Sequence, residues 1–231
     1  MRAVAKAAPG RPSTFNRDDM VDCALALMAR DGVEAMSLRG MARELGCVLG
    51  TVNYHFANLA DLKDAVTARL LERLPTLDAT RPEPLREQLV ELGLALIEVH
   101  STYPHVLNVS GPISIEIAAH QLRREWSTLQ ALGLPEPVAM LVTDVLQSLA
   151  RARGTEMYRL RHGGEQALRL NEMLMQKLGM PLAGKITADR FTADNMAPYH
   201  RVMLGTAIDT FLRGSGIAEP VKKRPAARKA S

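Results

Sequence analysis

The sequence predicts an all-helical chain, and three features carry that expectation. Apolar residues recur at i, i+3 and i+4 through most of its length. No strand-like alternation of useful length interrupts them. Gly and Pro clusters cut the pattern into segments of ordinary helix length, as at Pro104, Gly111-Pro112, Gly133 to Pro137 and Gly163-Gly164.

The 231 residues can hold one domain or two, and 47% hydrophobic with 23% charged residues is the balance of a globular protein. Cys23 and Cys47 are the two cysteines, without CxxC spacing. That argues against a disulfide framework or a zinc site and fits a reducing cytosol. The N-terminus has no apolar signal core, and no apolar run reaches the roughly 18 residues of a membrane span. A cytoplasmic protein with no membrane partner is expected.

Charge is unevenly placed. Residues 1–17 hold Arg2, Lys6, Arg11 and Arg17 and no acid, and residues 222–229 hold five more basic side chains. These are nine of the 29 basic residues, which leaves 20 against 25 acids in the body. Basic tails on a mildly acidic body either meet a polyanion or solubilise the ends.

Residues 1–13 read as a flexible arm, too poor in apolar side chains to build a core. Asn16 then caps a first helix, with Asp18 and Asp19 in its first turn and Phe15 and Met20 placed as a hydrophobic staple. Val21, Ala24, Leu25 and Met28 form its inner stripe, Cys23 reads as a core thiol beside them, and Gly32 ends it. Ser37 caps a short second helix with Leu38, Met41, Ala42 and Leu45 on one face, and Gly46 stops it. "GTVNYHF", residues 50–56, forms a third, with Val52 and Phe56 four apart. Asn58 caps a fourth that runs to Pro75 with Leu62, Ala65, Val66 and Leu70 inward. Further helices are expected near 84–102, 112–132, 136–160, 164–178 and 189–213. The domain division is 1–75, 76–216 and a basic tail at 217–231.

Residues 38–57 have the packing requirements of a helix-turn-helix. Ala42 is small where two helices cross, Gly46 fits a turn needing positive φ, and Val52 packs the second helix on the first. The second helix then carries Thr51, Asn53, Tyr54 and His55, too many polar groups for one core. Such an exposed run suits phosphate oxygens and base edges.

On these residues the chain resembles the DNA-binding domain of the TetR family of bacterial transcriptional repressors. The likeness covers residues 16–70, including "SLRGMARELG" and the T-x-x-x-H-F run from Thr51 to Phe56. It implies that Arg39, at the start of the second helix, contacts DNA, with Thr51 on phosphate or base. It implies that Tyr54 and His55 face the duplex and that Gly50 opens the recognition helix. Lys63 joins this set, and Arg2, Lys6 and Arg11 of the arm supply charge. Two positions depart from the family pattern: Asn53 stands where a phosphate-binding tyrosine is usual, and Leu59 where a lysine is usual. Residues 18–74 also carry six basic against nine acidic side chains, so the arm, Arg17 included, is expected to provide much of the electrostatic attraction. Asn53 either pairs with an adenine or is a tolerated surface residue. His55 could instead be buried, and Tyr54 could pack under the fourth helix.

In the larger domain, polar residues interrupting apolar faces mark a ligand site between helices. Candidates are His100, Tyr103, Asn108, His120, Trp126, Thr143, Asp144 and Gln147. A metal site from His100, His105 and Glu116 or His120 fits no standard ligand spacing, and Pro104 breaks the helix between the first two. No Ser-His-Asp grouping, phosphate loop or framed carboxylate pair appears, so no enzyme, metal or cofactor is expected. Broad apolar stripes in "VAMLVTDVLQSLARA" (Met140, Leu141, Val145, Leu149) and in the last helix (Met203, Leu204, Ala207, Ile208, Phe211, Leu212) are either intrachain core or, as the resemblance implies, a four-helix dimer interface. The expected function is a ligand-responsive repressor that binds a palindromic double-stranded DNA operator as a homodimer. It would release the operator when a mostly apolar small molecule fills the larger domain. The alternatives are a ligand-independent, nucleoid-type DNA binder using its basic tails, and an enzyme or carrier whose larger domain does chemistry.

Overall fold

A computed structural model describes residues 15–104, 106–107, 111–177 and 187–214. The described residues form α-helices joined by short connections, with no strand among them. In chain order these are α1 (Arg17–Asp31), α2 (Leu38–Leu45), α3 (Leu49–His55), α4 (Leu59–Glu72), α5 (Leu85–Thr102), α6 (Pro112–Ala131), α7 (Glu136–His162), α8 (Gly164–Lys177) and α9 (Ala193–Gly214). No helix among the described residues is long and apolar enough to cross a membrane.

The expected caps form. Asn16 accepts from the Asp19 amide at 2.8 Å while Asp19 accepts from the Asn16 amide at 3.0 Å, closing a capping box. The Ser37 hydroxyl accepts from the Gly40 amide, and the Asn58 side chain from the Asp61 amide, both at 3.0 Å. Gly46 ends α2 in the left-handed region at φ 64°, ψ 31°, where a Cβ is costly.

Two apolar cores result. The first joins α1 to α4 through Met20, Met28, Met41, Val52, Phe56 and Leu62, each fully buried. The second joins α5, α6, α7 and α9 through Leu89, Ile97, Leu129, Leu146, Met157 and Leu204. Arg86 of α5 makes a two-pronged ion pair with Asp209 of α9, at 2.7 and 3.2 Å. The stripe of the last helix divides here. Leu204, Ile208 and Leu212 are buried in the intrachain core, with Met203 and Phe211 packed against it. Met140 and Leu141 of α7 remain exposed.

Candidate functional site

Three helices build the exposed polar surface at the N-terminal end. Val52 and Phe56 hold the inner face of α3 against α1, α2 and α4. With that face fixed, the helical repeat turns Gly50, Asn53 and Tyr54 outward. Tyr54 is 86% exposed, so it does not pack under α4. Thr51 and His55, four residues apart, lie half-buried along the flank, and the His55 ring meets Tyr54 edge-on at 5.1 Å. Arg39 in the first turn of α2 and Lys63 in α4 are both exposed.

Arg17 has a different role from the one expected of the arm. Its guanidinium donates to the His55 carbonyl oxygen at 2.6 Å, pairs with Asp61 at 3.2 Å and lies 4.4 Å over the Phe56 ring. It pins the end of α3 to the start of α4. Arg2, Lys6 and Arg11 lie outside the described residues.

Four acids of this region are held in internal pairs. Asp18 and Asp22 engage Arg69, and Asp22 also engages Arg73 at 2.8 Å, joining α1 to α4. Asp31 and Glu44 share Arg30, whose hydrogen bonds hold both carboxyls below the usual range. Among the described residues of this domain, Arg39, Arg43 and Lys63 form no ion pair, and α3 contains no acid. The outward face of α3 is therefore polar and flanked by unpaired cations.

Gly50 has no atom within 4 Å of where a Cβ would stand. Nothing in the chain itself requires a glycine there. Gly50→Ala should leave the protein folded and stabilise α3 by roughly 0.5–1 kcal/mol. If the surface docks against a duplex at close range, the same change weakens DNA binding. Thermal unfolding and a binding titration on one preparation separate the two effects.

A cavity of about 380 Å³ opens in the larger domain between α4, α5, α6 and α7. Of the sequence candidates, His100, Thr143 and Gln147 line it. Trp126 and Asp144 line a shallower neighbouring cleft with Thr143 and Gln147. The Trp126 indole donates to the Thr143 hydroxyl at 3.0 Å, and that hydroxyl donates to the Met140 carbonyl at 2.9 Å, so both polar groups are spent within the fold. His120 is exposed and off the cavity, because α6 turns Ala118, Gln121, Leu122 and Glu125 inward instead. Tyr103 packs against the first core rather than the cavity, and burial raises its phenol. Asn108 lies outside the described residues, as does His105.

Sequence reasoning missed two carboxylates. Glu125 lines the cavity and is 9% exposed. It sits in the line Ala118, Leu122, Glu125, Leu129, so an acid in an apolar stripe was the available signal. Asp64 of α4, 4% exposed, accepts from the amides of Ile113 at 3.0 Å and Ser114 at 2.9 Å. These are among the first amides of α6, which have no partner within their own helix. A carboxylate from one domain thus caps a helix of the other. Close approach is required, since a Cβ at Gly111 would overlap the Asp64 carboxyl. Two further bonds join the same helices to their surroundings. The Thr67 hydroxyl lies 2.7 Å from the Val106 carbonyl, and the Gln121 amide donates to the Leu71 carbonyl at 2.6 Å.

No protein-family model matches the chain. Over 65 residues it is 40% identical to the HTH-type nicotine-responsive transcriptional repressor HdnoR of Paenarthrobacter nicotinovorans. That match spans 28% of this chain and 34% of the relative, about a third of its length. Whole-chain similarity is structural. The crystal structure of the Streptomyces coelicolor TetR family protein ActR in complex with actinorhodin superposes with a TM-score of 0.61 at 23% identity, covering 89% of this chain and 99% of that one. A TetR variant from Acinetobacter baumannii AYE in complex with minocycline gives 0.61 at 15% identity, covering 87% and 99%. From its N-terminal helix-turn-helix through its larger helical domain, the chain has the all-α fold of TetR-family regulators.

Proposed function

We propose that the protein is a ligand-responsive transcriptional repressor of the TetR type. In this reading the outward face of α3 enters the major groove, and two copies bind the half-sites of a palindromic operator. Arg39 and Lys63 contact phosphates, and Asn53 is placed to pair with a base. The exposed apolar side chains of α7 to α9, among them Leu141, Leu174 and Val202, are the surface available to a second copy.

The observation that carries ligand response is the double duty of α4. Its Leu62, Ala65 and Val66 close the core beneath α3, while Leu71 and the adjoining Leu74 line the cavity. A molecule that moves the cavity wall moves the helix on which α3 is seated. The relatives' names add weight, since one is nicotine-responsive and two structures hold actinorhodin or minocycline.

Selection from random duplexes should return inverted half-sites about one helical turn apart or slightly more. Asn53→Ala should then relax preference at one base pair per half-site, at roughly 1–3 kcal/mol. An even loss across all sequences would make Asn53 a phosphate contact. A cavity ligand that weakens operator binding must be weakened by operator in the same ratio. Unrelated, non-palindromic selected sites would refute the repressor reading in favour of a general DNA binder.

A further inference from the structure

The cavity wall contains a buried carboxylate that the fold does not satisfy. Glu125 is 9% exposed, and no described residue donates a hydrogen bond to it or forms an ion pair with it. Burial alone pushes its carboxyl up to about 7. A buried carboxylate without a partner is costly, and an isolated chain escapes the cost by taking up a proton. The other polar groups of the wall, His100 and Gln147 included, make no hydrogen bond or ion pair with it. The Gln121 amide is committed to Leu71 and the Trp126 indole to Thr143. Arg151 lines the same cavity but is solvent-exposed, so its charge is already hydrated. The remaining wall is largely leucine, from Leu92, Leu96, Leu107, Leu122 and Leu146.

We propose that the cavity selects an apolar molecule carrying a basic nitrogen, with the ammonium group paired to Glu125 and the hydrocarbon body against the leucines. This deepens the sensor reading above and rests on it. An ammonium supplies the positive partner and the hydrogen-bond donors that Glu125 lacks. A neutral ligand of the same shape gains only the apolar contact. An anion would gain little from a hydrated guanidinium and would lose against the carboxylate.

Dibenzylamine, its neutral isostere dibenzyl ether and the anion 4-phenylbutyrate form a suitable probe set. Binding is read by Trp126, the chain's single tryptophan, which lies in the adjoining cleft. The amine should bind about tenfold or more tighter than the ether, a difference of about 1.4 kcal/mol. Glu125→Gln should remove that preference while leaving ether binding unchanged. Calorimetry near pH 7 in buffers of different ionisation enthalpy gives an independent reading. An ammonium stabilises the ionised carboxyl, so the amine should release roughly half a proton per site, and none in Glu125→Gln. Equal affinity for amine and ether, or a preference that survives Glu125→Gln, overturns the amine assignment. If the ether or the acid still binds and loosens operator, the sensor reading stands without it. If none of the three binds, the amine assignment falls. Operator selection then decides the DNA-binding reading separately.

Discussion

Phe56→Ala should cost about 3–5 kcal/mol, the usual range for emptying a fully buried aromatic site. Phe56 has no solvent exposure and sits where α3 ends, between the helix-turn-helix and α4. Its ring also carries the Arg17 guanidinium that pins those two helices together. Whole domains are stable by only about 5–15 kcal/mol, so this loss is large for a four-helix unit. Operator binding should disappear. Ligand binding should survive, because most of the cavity wall belongs to α5, α6 and α7. Urea unfolding tests this with two signals. Far-UV circular dichroism sees every helix, whereas Trp126 reports only the larger domain. In Phe56→Ala an early transition should appear in the dichroism and not in the fluorescence. Coincident transitions would mean that the two cores unfold as one unit.

The elements were legible because their borders carry local chemistry. Asn16, Ser37 and Asn58 cap the helices that their positions promise, and Gly46 takes the left-handed conformation that the turn demands. The frame of Ala42, Gly46 and Val52 was legible for the same reason, since its packing depends on residues close in sequence. What escaped the sequence was long-range pairing. Arg17 looked like part of a basic arm, but its partners His55 and Asp61 are 38 and 44 residues away. The acidic surplus of residues 18–74 looked like a handicap for a polyanion binder. Four of those acids are tied to Arg30, Arg69 and Arg73, and α3 itself carries none. In the cavity, polarity was a poor guide without a helix face attached to it. His120 and Glu125 lie on one helix five residues apart, yet only Glu125 turns inward. Trp126 and Thr143, both expected as ligand residues, are instead engaged in one chain of hydrogen bonds, from the Trp126 indole through the Thr143 hydroxyl to the Met140 carbonyl.

Asp64→Ala should loosen the join between the two halves of the molecule. The carboxylate is the cap of α6, and its loss leaves the Ile113 and Ser114 amides without that acceptor in a buried place. Lost capping together with unsatisfied donors should cost about 2–4 kcal/mol. Asp64→Asn is the sharper variant, since it keeps the size and one acceptor oxygen but removes the charge that favours a helix N-terminus. Burial works against the ionised form of Asp64. The hydroxyl and amide of Ser114, the amide of Ile113 and the charge of Arg17 outweigh it and hold the carboxyl below its usual range. A carboxyl depressed in the folded state stabilises above its unfolded value, and that stabilisation is lost as pH falls through the folded one. The advantage of the native chain over Asp64→Asn should therefore be constant from neutral pH down to about 5 and should shrink below about 4. Urea unfolding across that range measures it. The functional consequence is separate and larger. Asp64 is the point at which α4, which seats α3, holds the start of α6, which lines the cavity. With the cap gone, a ligand can still enter and press on Leu71 and Leu74, but displacement of α6 pulls less on α4. In Asp64→Ala, cavity ligand and operator should affect each other less than in the native chain, under conditions where both domains remain folded. A variant that keeps the native coupling would show that the signal passes instead through Gln121 and Leu71, or through Thr67 and Val106, and substitutions at Gln121 and Thr67 would then identify the route.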